Sequence, residues 1–126
     1  MINRLPDPRI ISVIDDSEAA RNGTVRLVRA LGFAAHAFAS ANAFLQSEQL
    51  PKTSCLISDI QMPQMNGIQL YDALRARGCH IPIIFVTAFY DEDIHSQALG
   101  RGAICVLNKP IDGETLSRCL SHALRA

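Results

Sequence analysis

Three aspartates, a threonine and a lysine stand just behind short apolar runs. Asp15 and Asp16 follow Ile10 to Ile14, Asp59 follows Cys55-Leu56-Ile57-Ser58, Thr87 follows Ile81 to Val86, and Lys109 follows Ala103 to Leu107 and Asn108. Brought to one crevice, they would offer three carboxylates, a hydroxyl and an ammonium. Carboxylates gathered in this way repel: at ~4 Å and an effective dielectric of about 20, each pair costs on the order of 4 kcal/mol. One lysine offsets only part of that charge, which leaves a set of hard oxygen ligands suited to Mg²⁺ or Mn²⁺. Beside such an ion and an ammonium, a carboxylate is a nucleophile toward phosphorus. The acyl phosphate it forms has its oxygens neutralised by metal, lysine and hydroxyl.

Each of these residues has a plain structural reading when taken alone. Adjacent aspartates after a strand cap helices, a threonine at a strand end satisfies backbone, and a lysine is usually solvated. Their joint placement behind four separate runs carries the argument, because ligands of open α/β sheets bind beyond the carboxyl ends of the strands. The histidines His36, His80, His95 and His122 have no ligand spacing, and a zinc site is not expected.

The elements that must position these residues can be read from periodicity. The runs at 10–14, 55–57, 81–86 and 103–107 are apolar at successive positions, as in parallel strands covered on both faces, and the weaker run at 34–39, with His36 inside it, suits an edge strand. Pro82 is tolerable only at the first residues of its strand. Helices are predicted between the runs. The first carries Val25, Leu27, Val28 and Leu31 and is closed by Gly32; the second opens at Ser40 and carries Phe44 and Leu45. The third runs from Gly67 to Arg77 and is stopped by Gly78; the fourth spans Asp91 to Gly100. The fifth is capped by Asp112, with Leu116, Cys119, Leu120, Ala123 and Leu124 on one face. Five strand–helix alternations fold by right-handed crossovers into a doubly wound α/β sheet. Residues 1–8, with two prolines, are expected to be a flexible leader, and 9–126 a single domain.

Bulk properties agree with a small globular domain. The 126 residues are 48% apolar and 19% charged, with a mean hydropathy of +0.13. Twelve basic residues balance twelve acidic ones, so no long-range field favours nucleic acid or an anionic membrane. Cys55, Cys79, Cys105 and Cys119 form no CxxC pair and are expected to be reduced structural thiols. The absence of any long apolar stretch leads to the expectation of a cytoplasmic protein without signal peptide or membrane span.

Four segments, Val13-Ile14-Asp15-Asp16, Asp59 through Gly67 (Asp-Ile-Gln-Met-Pro-Gln-Met-Asn-Gly), Val86-Thr87-Ala88 and Lys109-Pro110, resemble the response-regulator receiver family in both spacing and strand context, over residues 9 to 124. The resemblance implies a flavodoxin-like five-stranded parallel sheet of order 2-1-3-4-5 with five helices. It also implies phosphorylation of Asp59 by a sensor histidine kinase or a phosphotransfer protein, and a conformational switch that controls an output. Asp16, Asp59 and the Gln61 backbone carbonyl would hold the metal, with Asp15 reaching it through water. Thr87 would hydrogen-bond the phosphoryl group and Lys109 would pair with it. A cis Lys109-Pro110 bond is common in the family. Dimerisation through the fourth helix, fifth strand and fifth helix is implied as a candidate, with Arg101, Arg118 and Arg125 facing Asp91, Glu92 and Asp93 across a two-fold axis. Such a domain is a phosphoacceptor rather than a turnover enzyme.

One position departs from the family, which usually has Tyr or Phe three residues before the lysine, where this chain has Val106. Valine is small and stiff at χ1, so no aromatic gate can operate there. Phe89 and Tyr90 are candidates for a substitute moving surface. Gln61 and Phe89 occupy positions that vary in the family and are expected to tune phosphate lifetime. Two rival readings remain open. An aspartyl phosphohydrolase would place Asp-x-Asp after the first strand, whereas this chain has an adjacent pair. A phosphate-independent interaction module would not need all five chemical residues. A nucleotide site is disfavoured because no Gly-rich loop follows the first run.

Overall fold

The computed structural model describes residues 7–125. In chain order the elements are β1 (Asp7–Ile14), α1 (Glu18–Ala30), β2 (Phe33–Phe38), α2 (Ala41–Leu45), a 3₁₀ turn (Leu50–Lys52), β3 (Thr53–Asp59), α3 (Gly67–Ala76), β4 (Ile83–Thr87), α4 (Glu92–Arg101), β5 (Cys105–Asn108) and α5 (Gly113–Ala123). The strands form one parallel sheet in the order β2-β1-β3-β4-β5. The flavodoxin-like class, the strand order and the five helices are therefore as expected.

Alternation along the strands sorts the core into two layers. Ile11, Val13, Cys55, Ile57, Ile84 and Val86 face α1 and α5, where Val25, Val28, Leu116 and Leu120 cover them. Ile14, Leu56, Ile83 and Phe85 face the other way, against Phe44 of α2, Leu70, Tyr71 and Leu74 of α3, and Ala98 of α4. Both faces are covered, which is why the runs read as continuously apolar. The polar exceptions are satisfied: the Ser12 and Thr53 hydroxyls lie 2.7 Å apart, and Thr53 donates to the Gln49 carbonyl at 2.8 Å.

The helix ends follow local chemistry. Ser17, Ser40, Asn66, Asp91 and Asp112 each accept backbone N–H groups at their helix starts. Asn66 and Gln69 form a reciprocal capping box. β1 begins earlier than expected, so Asp7 and Pro8 lie in the strand; the remainder of the expected leader, 1–6, lies outside the described residues. Pro8 is accommodated because the ladder slips between Asp7 and Ile10, where no N–H is required of it. Pro82 precedes β4, and its carbonyl accepts from Leu56 N at 2.9 Å. Among the described residues no helix is long and apolar enough to cross a membrane.

Candidate functional site

The carboxyl ends of β1, β3, β4 and β5 converge. Carboxylate oxygens of Asp15, Asp16 and Asp59 all lie within 4.8 Å of one another, with Asp15 and Asp59 buried and Asp16 exposed. Lys109 enters from the β5 end, its Nζ 2.8 Å from Asp15 Oδ2 and 3.3 Å from Asp59 Oδ2. The ammonium therefore sits closer to Asp15 than to Asp59 and bridges the two. Three carboxylates against one ammonium leave two negative charges uncompensated by this lysine, in a set of hard oxygens with an exposed member facing water. That donor set fits a hard divalent cation.

Each of these side chains is held by its own loop. Asp15 Oδ1 accepts from Ser17 N at 2.9 Å, and the Asp15 carbonyl accepts from Arg21 at 2.8 Å. Asp59 Oδ1 accepts from Gln61 N at 3.3 Å. Behind Asp59 the chain turns under tight constraint: Gly67 N donates to Ile60 O at 2.9 Å, and a Cβ at Gly67 would lie 2.6 Å from the Asp59 carbonyl and 2.9 Å from the Phe85 ring. A side chain at this position would displace the strand that carries Asp59. Lys109 N donates to Thr87 O at 2.9 Å, which ties β5 to β4, and the Lys109-Pro110 bond is cis.

Electrostatics follow from burial and neighbours. Burial pushes the Asp59 carboxyl above its ordinary range; the Lys109 charge counters this in part and the Asp15 charge adds to it. For Lys109, burial pulls the ammonium down, but the hydrogen bond to Asp15 and the charges of Asp59 and Asp15 outweigh it and leave the pKa raised. A bound cation would reverse the balance at Asp59 by favouring its ionised form.

Thr87 is buried at the end of β4, and its hydroxyl has partners other than Asp59. Its Oγ1 lies 2.8 Å from Gln61 Oε1 and 2.9 Å from the Phe89 carbonyl, and accepts from Phe89 N at 3.1 Å. Sequence reasoning gave Gln61 a metal-binding carbonyl and a part in phosphate lifetime, but missed this contact of its side chain with Thr87. It also missed Arg21. Val106 is half-buried against the α3–α4 layer, while Phe89 and Tyr90 are 75% and 60% exposed. Two of the arginines expected to reach across a dimer axis have intrachain partners instead: Arg101 pairs with Asp72 at 2.9 Å, and Arg118 with Glu114 one helical turn away at 3.5 Å. A cleft of about 450 Å³ adjoins the acidic site, lined by Lys109, Pro110 and Ile111 and by one face of α1. Its walls are mostly apolar, so the ionic chemistry belongs to its rim.

The model of the response regulator receiver domain family matches residues 11–121. Response regulator protein TodT of Pseudomonas putida is 33% identical over 116 residues, covering 92% of this chain and 51% of the relative. The structure of full-length FixJ from B. japonicum superposes with a TM-score of 0.82 at 34% identity, over 93% of this chain and 58% of that one. A receiver domain protein from Clostridium thermocellum shares the fold, with a TM-score of 0.85 at 24% identity over 92% of this chain and 94% of that one. The chain thus spans about half the length of the curated relatives it matches.

Proposed function

Because the chain belongs to the response regulator receiver family, whose domains are the phosphoacceptors of two-component signalling, we propose that Asp59 is the residue phosphorylated here, with a sensor histidine kinase or phosphotransfer protein as donor. The observation that carries this reading is the meeting of three carboxylates within 4.8 Å under a lysine that bridges two of them. Asp59 is the nucleophile. One of its carboxylate oxygens bonds to phosphorus as the donor's phosphorus–nitrogen bond breaks, and the donor imidazole leaves with that electron pair. Gln61 N and Lys109 hold the two Asp59 oxygens in separate directions and so orient the carboxylate. Lys109 then neutralises charge on the transferred group, and Thr87 supplies a hydroxyl donor to it.

Asp16, Asp59 and the Gln61 carbonyl would hold Mg²⁺ or Mn²⁺, with Asp15 engaged through water. The metal, when bound, supplies positive charge to the phosphoryl oxygens. The domain takes part in its own phosphorylation without turning over a substrate. A cytoplasmic location and an activated homodimer through α4, β5 and α5 belong to the same reading, and the dimer would cover Leu99, which is 43% exposed.

Incubation with Mg²⁺ and acetyl phosphate, followed by intact mass measurement, tests the assignment. One added phosphoryl group is expected, and none on Asp59→Asn or in EDTA. An equal adduct on Asp59→Asn would sink it.

A further inference from the structure

Thr87 has one hydroxyl proton and two acceptors within reach of it, Gln61 Oε1 at 2.8 Å and Phe89 O at 2.9 Å. Its lone pairs also receive Phe89 N–H at 3.1 Å. A hydroxyl donates once, so whichever carbonyl takes the proton, none remains for a phosphoryl oxygen. A phosphoryl group offers only acceptors at neutral pH, so Thr87 must withdraw its proton from this arrangement before it can stabilise one. Gln61 also donates its backbone N–H to Asp59 Oδ1 at 3.3 Å. One residue therefore touches the acceptor carboxylate through its main chain and the threonine through its side chain.

We propose that the Gln61 side chain is a positioning residue for phosphoryl acceptance: it latches the Thr87 hydroxyl in a resting arrangement and sets the fraction of molecules ready to receive a phosphoryl group. This rests on the reading of Asp59 as the acceptor. The latch joins two loops, since Gln61 follows β3 and Phe89 follows β4. When Thr87 turns toward the phosphoryl group, both the Phe89 carbonyl and its N–H lose their partner on Thr87, and the segment bearing Phe89 and Tyr90 is freed with them. Movement in this chain then begins at the β4–α4 loop and needs no aromatic ring at Val106. The effect on rate follows the competent fraction. The Phe89 carbonyl remains when Gln61 lets go, so one of two acceptors is lost, and a net hydrogen bond of this kind changes that fraction by about three- to tenfold.

Gln61→Met keeps the length of the side chain and both backbone groups but removes the latch. Time courses with acetyl phosphate and Mg²⁺, read by intact mass, should show uptake about three- to tenfold faster than wild type. Without any donor, amide hydrogen exchange at Phe89 should also quicken. In a Thr87→Val background the same Gln61 substitution should change uptake by less than twofold, whereas in Thr87→Ser, which keeps the hydroxyl, the acceleration should return. Wild-type uptake in Gln61→Met, or an acceleration that survives in Thr87→Val, overturns the latch. Should the wild-type protein take up no phosphoryl group at all, the reading of Asp59 fails. Exchange at Phe89 then decides the latch separately, with an unchanged rate in Gln61→Met counting against it.

Discussion

The loops that leave β3 and β4 lie side by side at the same sheet edge, yet they are held in opposite ways. After β3 the chain is fixed at several points: Ile60 N donates to Val86 O at 3.0 Å, Gly67 N returns to Ile60 O, Met62 and Met65 pack onto the core, and Asn66 and Gln69 close the start of α3. After β4, Phe89 and Tyr90 project into solvent and the local restraints are the Thr87 hydroxyl, the Asp91 cap and the ring contact of Tyr90 with His95. The far end of α4 is tied down again, where Tyr71 donates to the Arg101 carbonyl and Arg101 pairs with Asp72. The loop that carries chemistry is thus stiff, and the loop able to report on it is anchored only beyond its moving part. Catalytic groups benefit from preorganisation, whereas a switch needs an element with low resistance to rearrangement.

The sharpest way to break the stiff loop is at Gly67. Adding a methyl there meets backbone at 2.6 Å and a fully buried ring at 2.9 Å, neither of which can yield cheaply. Gly67→Ala should cost about 3 kcal/mol by urea unfolding, at the upper end of ordinary overpacking. Uptake of phosphoryl at Asp59 should fall with it, because the obstructing atom belongs to Asp59 itself. A variant of wild-type stability would mean that the loop after β3 is as compliant as its neighbour.

A smaller effect is expected from the metal. Mg²⁺ at about ten times its Kd should raise the unfolding free energy by about 1.4 kcal/mol, since it binds the folded cluster and not the dispersed chain. Asp16→Asn should remove most of that gain with little change in the metal-free protein, because the Asp16 side chain is exposed and has no ion-pair partner among the salt bridges of the described residues. A full Mg²⁺ increment in Asp16→Asn would take this residue out of the site.

Asp59 itself should stabilise the fold when its charge is removed in the absence of metal. Its folded pKa is raised above the ordinary 3.8, chiefly by burial, so its contribution is fully present below that value and is lost as pH rises through the folded pKa. In EDTA at pH 7, Asp59→Asn should therefore be more stable than wild type. The gap should close as the pH falls below 3.8. A gap that widens toward acid would reverse the electrostatic account of the stiff loop.

The contrast between the loops also marks what could be read in advance. The strands behind the site were legible because burial on both faces leaves consecutive apolar residues, and Asp15, Asp16, Asp59, Thr87 and Lys109 were legible because each stands where such a run stops. Caps at Ser40 and Asp112 could be read from residue type, whereas Asp91, expected inside the fourth helix, caps it from outside. The 3₁₀ turn at Leu50–Lys52 was missed although Pro51 sits near its start, since one proline distinguishes poorly between a turn and a loop. The closeness of Lys109 to Asp15 and the bond between Gln61 and Thr87 had no sequence signal, because they depend on how two loops from different strands settle against each other. The leader boundary was misplaced for a similar reason: Pro8 argues against a strand, but a slipped ladder absorbs it.

The least effect is expected where the loose loop is most exposed. Phe89→Ser and Tyr90→Ser remove rings that are mostly in water, the Tyr90 ring touching only that of His95 at 5.6 Å among the ring contacts of the described residues. Each should shift stability by no more than about 0.5 kcal/mol, the range of surface substitutions away from caps and core. Phosphoryl uptake should also stay within about twofold, since Phe89 meets Thr87 through its backbone, which the change leaves in place. A loss of 2 kcal/mol or more from either substitution, on the scale of a core truncation, would show that the loop after β4 is seated as firmly as the one after β3, and the contrast on which the switch rests would disappear.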